Sequence, residues 1–201
     1  MSLARAVRRP VCAHCLRAAC VCGCLRQPGV PVHCEVELLI LQHPREQREA
    51  KGTARLLHQS LSHSRLLVGE HWPEPPPGPA ARELLLYPPT PDDAALAPPP
   101  PLDPSWLQSP QSIRLVLIDG TWRKSRRMLY DSPWLQSLPR YSLDAPPPSR
   151  YAPLRRARGE GQRSSFEAGV LALRSLVVEP QALDALWPVF DAFVLSQQRG
   201  D

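Results

Sequence analysis

The chain has 201 residues, 43% of them hydrophobic, and a formal net charge of +5. That suffices for one well-buried core plus a small appendage. The longest apolar runs, Val36 to Leu41 and Ile113 to Ile118, are far too short to span a bilayer, and Arg5, Arg8 and Arg9 are followed by no apolar signal-type stretch. A cytoplasmic protein without membrane association is therefore expected.

In chain order, Met1 to Gly29 carries five Arg and no acidic residue, which suits a polyanionic partner. Five of the six Cys fall within thirteen residues there, as C-A-H-C-L-R-A-A-C-V-C-G-C. Paired Cys so close together suit tetrahedral thiolate coordination of a structural zinc ion better than disulfides. Cys12 and Cys15 form one pair; Cys22 with either Cys24 or Cys20 can form the other. Residues 1–30 are thus read as a Cys-rich zinc knuckle and residues 31–201 as a catalytic domain. Cys34 is expected to pack at the start of the first strand.

Glu35 to Gln42 reads as that strand, Ala50 to Leu61 has helical spacing through Ala54, Leu57 and Leu61, and Arg65 to Gly69 reads as a second strand. Most of the 26 Pro are concentrated in Pro73 to Pro104 and Pro146 to Pro148, stretches unsuited to core elements. The first is read as a surface connection around one apolar island, Leu84 to Tyr87, which has the length and composition of a short strand between two polyproline-like connections. Ile113 to Ile118 fits a strand buried on both faces. Helices follow at Trp122 to Tyr130, at Ser164 to Val178 and after Pro180. The alternation predicts an α/β protein with a mainly parallel sheet and helices on both faces.

The segment IRLVLIDGTWRKSRRM, Ile113 to Met128, is the most informative, because an apolar strand ends in a polar tetrad that opens a basic helix. Ligands bind at such strand ends. The plainer alternative is that Asp119 and Thr121 cap the helix while Trp122 fills the core. Ser164 and Glu167 form a capping-box pattern with its own local justification.

Four ordered blocks, the Cys cluster, LLILQHPREQREAKGTARLL, DGTW and SRYAPLRRARGEGQRSSFEA, resemble the DTW-domain family over roughly residues 10 to 180. The resemblance implies a tRNA-uridine aminocarboxypropyltransferase, moving the 3-amino-3-carboxypropyl (acp) group of S-adenosylmethionine to N3 of a uridine, with a variable-loop uridine favoured by the short single-domain chain. It also implies a SPOUT-like, knotted fold and the zinc ligand set Cys12, Cys15, Cys22 and Cys24. Asp119, Thr121 and Trp122 are then the catalytic candidates, with Asp119 as proton acceptor or ammonium ligand and His43 as an alternative base. Gln42, His43, Pro44, Gly120, Ser164, Ser165 and Glu167 are the candidates for holding the donor, the last three through a helix N-terminus suited to a carboxylate. Arg123, Lys124, Arg126, Arg127, Tyr151, Arg155 and Arg156 are the candidates for the tRNA backbone. Two competing readings are a methyltransferase using the same cofactor and a non-catalytic zinc-knuckle RNA-binding protein.

Overall fold

The structure is a computed structural model, and it describes Cys12 and residues 31–79, 82–90, 96, 98–152 and 163–198. Five strands form one sheet: β1 (Glu37–Gln42), β2 (Ser64–Val68), β3 (Arg82–Leu86), β4 (Ile113–Asp119) and β5 (Arg140–Tyr141). Their order is β2-β1-β4-β3-β5, and every pairing is parallel. The central strands are buried along almost their whole length, as two-sided coverage requires.

That coverage follows the alternation of side chains along each strand. Leu38, Ile40, Leu115 and Leu117 face helices α1 (Ala54–Ser60), α4 (Ser165–Leu176) and α5 (Leu186–Gln198). Leu39, Leu41, Leu85 and Val116 face α2 (Trp122–Tyr130) and α3 (Pro133–Gln136). Helices therefore cover both faces. At Gly169 a Cβ would lie 2.4 Å from Leu57 Cδ2, so α4 approaches α1 as closely as a residue without a side chain permits.

Several boundaries differ from the expected ones. Helix α1 starts at Ala54 rather than Ala50, since Gly52 occupies what would be its first turn and the backbone from Glu46 to Gly52 runs through successive turns instead. Leu61 is extended and bridges to Val32. The apolar island in the Pro-rich stretch is a strand, as its composition allowed, but it forms part of β3, an interior strand between β4 and β5 with Leu84 and Leu85 fully buried, so the stretch around it is more than a surface connection. The short α3 and β5 have no counterpart in the sequence reading.

At the amino end of the sheet, Arg114 of β4 is buried between Glu37 of β1 and Glu83 of β3, its register neighbours on either side. Its Nε donates to Glu37 Oε2 at 3.0 Å and its Nη1 to Glu83 Oε1 at 2.8 Å and to Pro76 O at 3.0 Å. A Cβ at Gly78 would sit 1.4 Å from Arg114 Nη2. The same guanidinium thus joins three strands and draws the Pro-rich segment against them.

Cys34 packs just before β1 with 3% exposure. Burial pushes its thiol up from 9.0 to about 11, assisted by the charge of Glu35 and opposed by a backbone hydrogen bond from Val36. The unfolded thiol ionises first, so this contribution to stability is complete below about pH 9 and is lost as pH rises toward about 11. Its size is on the order of 2–3 kcal/mol. A Cys34→Ala variant is expected to show a flatter decline of urea-unfolding free energy across that interval than the parent; parallel curves would exclude the effect.

Candidate active site at the carboxyl ends of the central strands

The crossovers from the two central strands leave in opposite directions. From β1 the chain passes through α1 on one face to β2; from β4 it passes through α2 and α3 on the other face to β5. Between β1 and β4 the sheet therefore has a switch point, where the carboxyl ends leave a crevice for a ligand. Gln42 and Asp119 end these strands and are register partners.

Asp119 is 7% exposed, and both of its carboxylate oxygens accept hydrogen bonds. Gln42 Nε2 donates to Oδ2 at 2.9 Å, and Ser165 Oγ, at the first turn of α4, donates to Oδ1 at 2.5 Å. The backbone joins in as well: His43 N donates to Asp119 O at 2.9 Å. Three distant motifs, QHP, DGTW and SSFEA, thus converge on one carboxylate. Asp119 is not the helix cap that the plainer alternative made it. That task falls to Thr121, whose Oγ1 accepts from Lys124 N at 3.4 Å.

Gln42 is 2% exposed, and because its amide nitrogen is committed to Asp119, its Oε1 is left buried with no hydrogen-bond partner among the described residues. An orphaned acceptor beside a carboxylate is a costly arrangement for the protein by itself. It suits a ligand that brings N–H donors.

The other candidates have more local partners. His43 Nδ1 accepts from Arg45 N at 3.1 Å, which places the ring proton on Nε2, 3.2 Å from Glu70 Oε1. Its one ring lone pair is engaged, so His43 is poorly arranged to act as a base. Pro44 opens the 3-10 turn Pro44–Glu46, and Glu46 pairs with Lys124 at 2.6 Å, joining that turn to α2. A Cβ at Gly120 would lie 3.2 Å from Lys124 Cβ and 3.3 Å from Ser125 N. The glycine lets α2 begin tightly against the strand end. Ser164 caps α4 in a complete capping box. Glu167, 2% exposed, accepts from Ser149 Oγ, Arg150 N and Ser164, so its carboxylate is consumed by the fold. Thr53 Oγ1 accepts from Phe166 N at 3.2 Å, fixing the start of α4 against α1.

Trp122 is not a core residue: it is 52% exposed and stacks on Tyr87, with ring centroids 5.4 Å apart and planes 13° from parallel. Of the basic candidates, Arg123 and Arg126 are exposed on α2, Lys124 is paired with Glu46, and Arg127 bonds Asp131 at 2.5 Å. Tyr151 departs from the expected RNA-facing position. It is 6% exposed, packs near Phe190 and donates its hydroxyl hydrogen to Lys51 O, so its ring belongs to the core. Arg155 and Arg156 lie outside the described residues, as do Cys15, Cys22 and Cys24 of the expected zinc set; of that set only Cys12 is described. Among the described residues no group of three or more His, Cys, Asp or Glu is arranged to hold a metal ion. No described helix is long and apolar enough to cross a membrane.

Sequence reasoning missed Glu70 and Tyr87. Each directly follows the carboxyl end of a strand or its terminal turn, β2 for Glu70 and β3 for Tyr87, and that position was the available signal.

Fold and site together define an all-parallel α/β protein whose polar centre lies at a switch point. The chain belongs to the DTW domain family, which it matches over residues 9–198. It is 30% identical over 181 residues to tRNA-uridine aminocarboxypropyltransferase 2 of Drosophila melanogaster, covering 89% of this chain and 71% of that protein. It is 28% identical over 144 residues to tRNA-uridine aminocarboxypropyltransferase A of Arabidopsis thaliana, covering 61% of this chain and 51% of the relative. With tRNA-uridine aminocarboxypropyltransferase 2 of Macaca fascicularis the identity is 28% over 128 residues, or 62% of this chain and 43% of the relative. The chain thus spans about half or less of the latter two. No solved structure matches it.

Proposed function

We propose that this chain is a tRNA-uridine aminocarboxypropyltransferase that takes the acp group from S-adenosylmethionine and attaches it to N3 of a tRNA uridine, with a variable-loop uridine as the favoured target. The observation that carries the reading is the paired acceptor at the crevice: the Asp119 carboxylate and, hydrogen-bonded to it, the orphaned Gln42 Oε1. The named relatives supply the class of reaction.

A sulfonium donor supplies an electrophilic γ-carbon and a neutral thioether leaving group, so the leaving group needs no acid. The protein's task is then to take the N3 proton and to hold the amino-acid chain toward the base. Asp119 is the group for the proton. Its orientation is set by Gln42 and Ser165, and its buried position keeps bulk water from competing for it. Gln42 Oε1 is the acceptor for an N–H of the uracil ring or of the donor's ammonium. As the N3–carbon bond forms, the carbon–sulfur bond breaks and the electron pair leaves with methylthioadenosine.

The same reading carries three finer elements with it. The SPOUT-like knot rests on the family resemblance. The zinc knuckle rests on the donor set Cys12, Cys15, Cys22 and Cys24, four thiolates with spacing suited to a closed tetrahedral site. The cytoplasm is the compartment that suits a tRNA substrate.

The test is to incubate the protein with unmodified tRNA and S-adenosylmethionine, digest the RNA and weigh the nucleosides. A uridine heavier by the acp group is the expected product. A methylated nucleoside would transfer the protein to the methyltransferase class, and unaltered RNA that remains bound would favour a binding module.

A further inference from the structure

Helix α2 presents Trp122, Arg126 and Tyr130 at i, i+4 and i+8, so they form one stripe along its length. The stripe is not the core face, which consists of Ser125, Met128 and Leu129. The Arg126 guanidinium lies 5.4 Å from the Tyr130 ring centroid and donates from Nε to the Tyr130 hydroxyl at 2.8 Å. At the top, half-exposed Trp122 rests on Tyr87. On the sheet side the Arg140 guanidinium of β5 lies 5.3 Å over the same Tyr87 ring.

Arg140 is the unusual member. Among the described residues its Nε and Nη1 are buried with no hydrogen-bond partner, and burial depresses its pKa while the neighbouring Tyr87 counteracts this. A guanidinium withdrawn from water without an anion among the described residues is costly. Arg123, next to Trp122 at the start of α2, is exposed and pairs with no acid among the described residues. Aromatic faces interleaved with guanidinium groups are the chemistry that holds single-stranded nucleic acid: bases stack with little sequence preference, while the cations follow the phosphates.

We propose that the stripe Trp122, Arg126 and Tyr130, backed by Tyr87 and Arg140, is a track for a single-stranded stretch of the RNA substrate, on which bases neighbouring the target uridine stack. The track leads away from Asp119 down α2, so a chain lying on it would present one nucleotide to the crevice. This rests on the RNA-modifying reading above.

The test uses the full chain with a fluorescein-labelled single-stranded oligouridylate, followed by anisotropy, and with S-adenosylmethionine, followed by calorimetry. Tyr130→Leu, Arg126→Gln and Arg140→Gln are each expected to weaken oligonucleotide binding roughly tenfold, the scale of one lost stacking or charge contact. Arg126→Gln should also reduce the slope of log affinity against log salt by about 0.7, while Tyr130→Leu leaves it unchanged. Tyr130→Phe, which keeps the ring, should bind like the parent. Affinity for S-adenosylmethionine should not move. A loss confined to that molecule would assign the stack to its adenine and overturn the track, as would unaltered binding of both ligands by folded variants. Because no turnover is needed, the two readings can fail separately. A protein that transfers no acp group but loses RNA affinity in these variants retains the track; one that transfers the group with unaltered affinity retains only the reaction.

Discussion

Asp119→Asn is expected to reduce acp transfer by at least about a hundredfold, the lower end of what a positioned proton acceptor contributes. The substitution keeps the volume of the side chain and removes the charge. Ser165 can still donate to an oxygen at this position, and the Gln42 amide can turn so that its otherwise orphaned oxygen accepts from the new Asn nitrogen. The hydrogen-bond network therefore survives with its polarity reversed at one contact, and the fold and the tRNA affinity should be retained. The measurement is single-turnover formation of acp-uridine by mass spectrometry, alongside tRNA binding and thermal unfolding of the same preparation. Full activity in the folded variant would remove Asp119 from the chemistry. Lost activity with lost tRNA binding would instead assign it to holding the substrate.

Arg114→Leu is expected to produce the largest change in stability, about 3–5 kcal/mol, because it leaves the buried Glu37 carboxylate and the partly buried Glu83 carboxylate without their shared cation. Glu37 is 3% exposed, and its other basic neighbour, Arg65, is 3.9 Å away. Glu83 would keep its hydrogen bond from Trp134 Nε1 at 2.9 Å. Urea unfolding should show a lower midpoint with an unaltered slope. Adding Glu37→Leu should restore part of the loss, since an apolar pair of similar volume removes the stranded charge. Arg114 lies five residues before Asp119 on β4, about 16 Å away at the rise of a parallel strand, so the folded fraction should transfer acp at the parental rate. A loss below about 1 kcal/mol, the value of an exposed ion pair, would show that the triad is solvated in solution.

These two residues illustrate what could and could not be read along the chain. β4 and α2 were legible nearly to the residue, because a long apolar run and a helix opened by a Thr cap are local signals. Arg114 lies inside that run, and nothing local explains it. Its partners come from neighbouring strands, 77 residues before it in the case of Glu37 and 31 in the case of Glu83, and only strand order brings them together. The same holds for the site. Gln42, Asp119 and Ser165 were each visible in a motif, but their mutual hydrogen bonds depend on register and on where α4 docks. Tyr151 was assigned to RNA because it stands in a basic stretch; the structure turns its ring inward against Phe190. Arg140 was invisible, since a two-residue strand has no periodicity to detect.

The hydrogen bond from Ser165 to Asp119 also links chemistry to the order in which the chain becomes complete. Gln42 and Asp119 come from adjacent strands, but Ser165 belongs to a helix 46 residues further on, held in place by its capping box and by Thr53. A chain whose sheet has formed while α4 is still undocked has the Asp119 carboxylate held on one side only, by Gln42. If Asp119 takes the proton as proposed, the orientation of that carboxylate is complete only when α4 has docked, and a molecule lacking that layer would also lack its activity.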